Sequence, residues 1–574
     1  MKIISRILKN PLVWIFLLAL ILRIYKLETF PYGFHVDEAR VAWNAASILQ
    51  TGRDDKNEIL TLYYDSFGDY RPSGIFYFTV PFIAIFGNNE FAVRFPVALV
   101  GALTVVPIYL LVELLNKKEK SVKVKFGYLA AFLLAISPWH IEISRATNEV
   151  VISTFFALFA LFFFISLIKS KKLTYGFLAV IFLFISYLFY HSIRFLGPIF
   201  FIAILSFYFK EIKTRSVKII SILCVVFSII LTVLFSLNQN SLARLDQTSI
   251  FTNVDTIYEI QRIKGENTNK NLLTEIFDNK IVIYSKTFIS EYGKYFSEEF
   301  LTGVAGRPYR FATPGVGLIT YIELLLIIIG VIQVLRGNKN MLPILLLIIA
   351  PLPAALTSED SPNLSRAFFM LPFLTCLATY GLGWILSLKS IFKKQIAIGV
   401  FGLLILNFSY FIYMYSSHSL NHMPYLKNYA GDSPTYRNVG TKELVLKLDS
   451  LKTKYDKIII TSFPDSPYPW YAFFTSKSPF DFNKTYSEST KERVYGNIIF
   501  SQDKCPSDYA ITKYRKQNIL IIDSWECPYK SRIADGQALK IVDMINRPDG
   551  TEVFALMERD WEKPIFIDGK PYMY

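Results

Sequence analysis

The chain has 574 residues, 52% of them hydrophobic and 16% aromatic, which is too apolar for a soluble multidomain protein, yet long stretches of it are ordinary polar sequence. Its formal charge of +15 is concentrated in short connections between apolar runs: MKIISRILKN, NKKEKSVKVK, KSKK, KEIKTRSVK, RGNKN and LKSIFKKQ. The alternate short connections hold little beyond Arg145, Arg194 and Arg366. This is the positive-inside pattern; it places the N-terminus in the cytoplasm and explains much of the charge without a nucleic-acid partner.

The first apolar run, PLVWIFLLALILRIY, has a basic flank but no small-residue cleavage site before LRIYKLETFP, so it reads as an uncleaved anchor. Membrane helices are expected near 9 to 26, 91 to 115, 126 to 140, 149 to 168, 174 to 190, 195 to 210, 219 to 237, 316 to 335, 341 to 356, 366 to 387 and 396 to 415, about eleven in all. The run SGIFYFTVPFIAIFG at 73 to 87 is short, contains Pro81, and would place NKKEKSVKVK outside if it crossed; it is expected to be re-entrant or interfacial. The fold class is thus a polytopic α-helical membrane protein. Residues 1–415 form its transmembrane domain with outer loops 27–90 and 238–315, and 416–574 form a small extracytoplasmic α/β domain. In that last region KELVLKLDSLKTKY has helical spacing, and DKIIITS, QNILIID, ALKIVDMI and EVFALMER have strand character. No internal repeat is visible.

In FHVDEARVAWNAASILQTG, apolar residues recur at helical spacing from Val41 to Leu49 and Gly52 supplies a stop. An amphipathic helix at the membrane surface is expected, with Asp37 and Glu38 at its start. The local explanation for such acids is that Asp37 caps the helix and Glu38 favours its dipole. A single carboxylate at an outer surface is also what general-base chemistry needs.

The runs LRIYKLETFPYGFHVDEARVAWNAASILQTG, RPSGIFYFTVPFIAIFG and EFAVRFPVALVGALTVVPIYLL together resemble the N-terminal third of GT-C glycosyltransferases. The similar groups are the protein O-mannosyltransferases of glycosyltransferase family 39 and the aminoarabinose transferases. Arg71-Pro72-Ser73 stands where the family has a basic-Pro-Pro motif, and SPWHIEISRATNE resembles its Ser-Arg segment. YHSIRFLGP, FATPGVGLI and ALTSEDSPNLSRAFFMLP resemble motifs of bacterial members, and the likeness covers roughly residues 20 to 385. The resemblance implies the GT-C fold and transfer of a sugar, with inversion, from a polyprenyl-phosphate-linked donor to a protein, glycan or lipid acceptor. It implies Asp37 as general base, with Glu38 orienting acceptor or donor. The leaving lipid phosphate wants guanidinium beside it, and Arg145, which matches the Ser-Arg segment, is the first choice, followed by Arg194 and Arg366. For each of the three the alternative is snorkelling to lipid headgroups.

No cofactor is required by these residues. His35, His140, His191, His418 and His422 all fall on the expected outer side and could join Asp37, Glu38 and Glu142 around a divalent metal, but no close ligand spacing supports one. Cys224 and Cys376 lie in apolar runs; Cys505 and Cys527 lie in the outer region, where a disulfide between them is open. Outer aromatics such as Trp43, Tyr63, Tyr64, Tyr70, Trp139 and Trp470 suit sugar stacking and membrane interfaces equally. Two other functions fit a polytopic chain. A transporter or lipid-sugar flippase would be expected to show repeated halves and mid-membrane charge. An anchor for a C-terminal binding module would need only one span.

Overall fold

The computed structural model describes residues 9–66, 69–116, 125–237, 248–266, 272–303, 306–313, 315–389, 391–417, 437–485, 493–514, 516–534, 538–548, 550–567 and 570–572. The chain divides into two compact units. One comprises 1–25, 62–75 and 97–418; the other comprises 26–61, 76–96 and 419–574. The expected outer loop 27–90 is therefore shared between them.

The first unit is helical. With the helix that begins at Glu90, six helices among the described residues are long and apolar enough to cross a membrane: Glu90–Leu115, Val150–Ser170, Ser192–Glu211, Arg215–Ser236, Phe368–Ser387 and Lys393–Ser417. A seventh candidate is the pair Phe126–Ile136 and Pro138–Ser144, bent by 59°. The bend falls at Ser137, which is extended and caps the second helix, and Pro138 follows it at the helix start, where its missing N–H costs nothing. Against the expectation of about eleven spans, six helices, or seven with the bent pair, meet that length and composition among the described residues of this multi-pass membrane protein. The expected spans 9 to 26, 174 to 190, 316 to 335 and 341 to 356 are the shorter apolar helices Pro11–Ile24, Thr174–Tyr187, Tyr321–Leu335 and Leu342–Ala355. Local signals shorten them. Asn10 caps the first and Tyr25 ends it in extended conformation. A Thr320/Glu323 capping box starts the third. Pro351 interrupts the fourth. The run at 73 to 87 forms Gly74–Phe86, a short apolar helix with Pro81 inside it.

Helices Tyr321–Leu335 and Leu371–Ser387 cross through two glycines. A Cβ on Gly330 would collide with the backbone of Leu377, and one on Gly381 with the backbone of Leu326. Small residues that let backbones approach are a usual means of helix association in lipid, where no hydrophobic driving force separates helix from solvent. A hairpin of β1 (Tyr63–Ser66) and β2 (Asp69–Pro72) also belongs to this unit.

The second unit carries a six-stranded mixed sheet. Its strands are β3 (Lys457–Ile460), β4 (Arg493–Tyr495), β5 (Ile498–Phe500), β6 (Ile519–Ser524), β7 (Leu539–Asn546) and β8 (Glu552–Arg559), in the order β4-β5-β3-β6-β8-β7. β3 runs parallel to β5 and β6, and the remaining pairs are antiparallel. All six residues of β6 are buried, as a strand covered on both faces should be. A separate hairpin, β9 (Ile565–Ile567) with β10 (Lys570–Tyr572), follows. The four strands and the helix read from the sequence are present, the helix as Thr441–Leu451. Cys505 and Cys527 form a disulfide with Cα atoms 5.6 Å apart.

Replacing Gly330 or Gly381 by valine is expected to destabilise the protein by about 1–3 kcal/mol, the usual cost of overpacking. Gly399→Val, whose side chain meets no neighbour, is expected to stay within about 0.5 kcal/mol. Thermal unfolding of the purified protein in detergent checks both.

Candidate active site

The segment carrying the acid pair lies wholly in the second unit. The helix is Val36–Thr51, and its N-cap is His35, whose ring nitrogen accepts the Asp37 N–H at 3.1 Å. Glu38 completes a capping box by accepting the His35 N–H at 3.1 Å. Asp37 is therefore not the cap; it occupies the second helical position. Its carboxylate lies 3.3 Å from His35 Nδ1, with 14% of its side chain exposed.

Glu38 is buried and bound on two sides. Arg94 donates Nε to Oε1 at 2.8 Å and Nη2 to Oε2 at 3.0 Å, a bidentate pair. Arg437 donates Nη2 to Oε2 at 3.1 Å. Burial would raise the Glu38 carboxyl, but Arg94 and then Arg437 overturn that and hold it at about 2. Both arginines also bind the turn before the helix. Arg94 donates to the carbonyls of Leu27 at 3.1 Å and Gly33 at 2.5 Å, and Arg437 to that of Tyr32 at 3.0 Å.

The helix is buried from Glu38 to Ser47, including the polar residues Arg40, Asn44 and Ser47. This corrects the expected amphipathic helix lying at a surface. Its polar side is covered within the unit: Arg40 pairs with Asp55 at 3.3 Å, Trp43 donates to Asn483 at 3.2 Å, and Asn44 accepts the Asp55 N–H at 3.0 Å.

Arg145, Arg194 and Arg366 belong to the first unit. Arg145 donates to the carbonyls of Leu22 and Tyr25, both at 2.8 Å, and to the Tyr415 hydroxyl at 3.1 Å. It thereby satisfies carbonyls at the C-terminal end of Pro11–Ile24. Arg23 does the corresponding work for Phe126–Ile136, donating to Ala135 at 3.1 Å and Leu134 at 3.3 Å while fully buried. Arg194 bonds the Tyr187 carbonyl at 2.8 Å and the Tyr63 hydroxyl at 2.5 Å, and lies over the Phe235 ring at 4.6 Å. Arg366 pairs with Glu359 at 2.6 Å. His191 feels burial first, then Arg194, Arg71 and Arg366, and is drawn down to about 3. Two of the three expected phosphate ligands therefore share one cationic neighbourhood with Arg71, whose motif the sequence offered only as a partial match.

His140 is engaged by Arg23 at 2.9 Å, and His418 and His422 lie outside the described residues. Among the described residues no group of three or more His, Cys, Asp or Glu side chains is arranged to hold a metal. Two partners of Glu38 had no assigned role from sequence. Arg94 had a usable signal, the one basic residue in the apolar helix Glu90–Leu115; Arg437 sits in no motif.

Residues 70–235 match the family model described as dolichyl-phosphate-mannose-protein mannosyltransferase. Over that segment the match agrees with the resemblance to protein O-mannosyltransferases read from the sequence. Comparison with curated proteins finds no match. Among solved structures the chain is similar to the Archaeoglobus fulgidus oligosaccharyltransferase complexed with Zn and sulfate, at 14% identity and TM-score 0.45, covering 81% of this chain and 61% of that one. It thus spans about three fifths of that protein's length. It is similar to the same organism's AglB in complex with an inhibitory peptide and a dolichol-phosphate, at 14% identity and TM-score 0.49, covering 96% and 74%. It is also similar to ArnT from Cupriavidus metallidurans bound to undecaprenyl phosphate, at 11% identity and TM-score 0.48, covering 95% and 97%.

Glu38→Gln would leave two buried guanidiniums facing a neutral amide, and a loss of about 3–5 kcal/mol is expected. Because the folded carboxyl is held at about 2 against an ordinary 4.5, its stabilisation is complete above the ordinary value and is lost as pH falls towards 2. Denaturant unfolding between pH 6 and 3 should show that slope in the native protein and a flatter one in the variant.

Proposed function

We propose that this protein is a membrane glycosyltransferase that moves a sugar from a polyprenyl-phosphate carrier to an acceptor hydroxyl on the extracytoplasmic face, with inversion and with Asp37 as general base. The observation that carries the reading is the unequal treatment of the two acids. Glu38 is buried between two guanidiniums and holds the turn, whereas Asp37, one residue earlier, keeps a partly exposed carboxylate. In the reaction the acceptor O–H gives its proton to Asp37 as its oxygen bonds to the anomeric carbon. The bond from that carbon to the phosphate oxygen breaks, and the lipid phosphate leaves with the electron pair.

The lipid phosphate is a stable anion and needs cations rather than an acid. Arg194 and Arg366, with Arg71, suit that role because their fields converge on His191. Arg145 stays a candidate, although its hydrogen bonds to Leu22 and Tyr25 favour a role in holding a helix end. The match of residues 70–235 to a family named for a lipid-phosphate sugar donor supports the donor class. The disulfide Cys505–Cys527 and the distribution of basic connections support an outer location for the C-terminal region.

Asp37→Asn is expected to lower turnover at least about 100-fold while membrane insertion and thermal stability are retained. The assay incubates purified protein with a panel of polyprenyl-phosphate sugars and envelope fractions and identifies products by mass spectrometry; full activity of the variant would refute the base. In the same assay Arg71→Gln and Arg366→Gln should raise the donor KM about 10-fold or more, as loss of a charge-assisted phosphate contact implies. Movement of a labelled lipid across vesicles with no new glycosidic bond would favour a flippase instead.

A further inference from the structure

Residues 26–38, which lead into the acid pair, are held by a part of the chain some 400 positions away, and the contacts fall almost entirely on backbone. Arg437 donates Nε to the Tyr32 carbonyl at 3.0 Å as well as Nη2 to Glu38. Asn438 accepts the Val36 N–H at 3.0 Å through Oδ1. That N–H opens the helix and has no partner within it, so the contact satisfies an otherwise orphaned donor. The other end of the Asn438 amide donates to Asp465 at 2.9 Å, which fixes which way it faces. Trp470, fully buried, donates Nε1 to the Phe34 carbonyl at 2.9 Å. Gly33 has φ +81°, and a Cβ there would press into the Arg437 backbone, so the two stretches lie in direct backbone contact. Asn438 also adopts a positive φ, 52°, a conformation that asparagine tolerates better than most residues.

From these contacts we infer that Arg437 and Asn438 are positioning residues for the Asp37–Glu38 turn, so that the C-terminal domain is a working part of the catalytic site and not an accessory module. The inference rests on the proposed role of Asp37. The supporting loop has its own significance. Asp465 and Trp470 follow β3, the strand flanked by parallel neighbours β5 and β6 on either side. The ends of such strands, where the order reverses, are where open α/β sheets usually place a ligand. In this protein the Asn438–Asp465 and Trp470–Phe34 bonds commit the loop after β3 to holding the acid-bearing turn.

The test uses the full-length protein with Arg437→Gln, Arg437→Lys and Asn438→Ala. Two measurements are made: hydrogen–deuterium exchange of the peptide covering residues 30–40, and turnover of whichever undecaprenyl-phosphate-linked sugar the native protein accepts. Positioning predicts faster exchange in that peptide for Arg437→Gln and Asn438→Ala, with exchange in β6 and β8 unchanged. It predicts a kcat at least 10-fold lower with donor KM within two-fold. The acid limb of the pH–rate profile should move upward in Arg437→Gln, where Glu38 loses the Arg437 guanidinium, and return towards native in Arg437→Lys. Native exchange in residues 30–40, or native kcat in both Arg437→Gln and Asn438→Ala, overturns the inference. An active Asp37→Asn variant refutes the base assignment separately, because the exchange result still decides whether these residues hold the turn.

Discussion

The second unit depends on one buried ion group, the Glu38 carboxylate between Arg94 and Arg437. A carboxylate removed from water is tolerable only when charge and hydrogen bonds replace its hydration. Here one anion meets two cations, and the remaining positive charge is directed to backbone carbonyls at Leu27, Tyr32 and Gly33. The ion group and the shape of the preceding turn are thus a single object. Any change that frees Glu38 also releases the carbonyls that fix the chain leading to Asp37, and the converse holds.

The first unit also turns buried guanidiniums to backbone carbonyls. Arg23 and Arg145 each lie buried and donate to carbonyls near helix C-termini, where the last turn leaves acceptors unsatisfied and the dipole is negative. The exchange is reciprocal: Arg23 belongs to Pro11–Ile24 and serves Phe126–Ile136, while Arg145 ends Pro138–Ser144 and serves Pro11–Ile24. A guanidinium in apolar surroundings is therefore stabilised by peptide dipoles, and a helix broken at Ser137 has its exposed carbonyls satisfied. This explains how an arginine that resembles a motif residue can be structurally committed, and why motif identity alone does not separate a ligand from a helix cap.

What the sequence disclosed followed the range over which each signal acts. Hydrophobic periodicity and caps are local, so the long spans and the four longer strands were legible, as were Asp37 and Glu38 at a helix start. The strands β4 and β5 are three residues each, joined through Gly496, and fall below the length at which alternation can be counted. Span ends were misjudged where apolar composition continues past a stereochemical stop, as at Ser137 and Pro351. The local reading in which Asp37 caps the helix follows from aspartate being a common N-cap, yet His35 fills that place two residues earlier. Arg437 was invisible for a different reason: its partner is 399 residues away, and nothing in its own neighbourhood marks it.

This long separation has a consequence for how the protein can vary. A general base must be held to within a fraction of an ångström, and a surface turn of about a dozen residues cannot do that from its own contacts. The required rigidity comes from a packed sheet whose β3 loop reaches it through Asp465, Asn438 and Trp470. Such a sheet is then constrained at the loop after β3, because each substitution there is felt at residues 32–38. Strand β7, the edge strand at the far end of the order from β4, exposes Ile541 and Val542, while its Ile545 lies against Gly440, two residues beyond Asn438. If the C-terminal domain contributes to acceptor choice, the freedom to do so lies at such exposed positions and not in the loops that hold the acid pair in place.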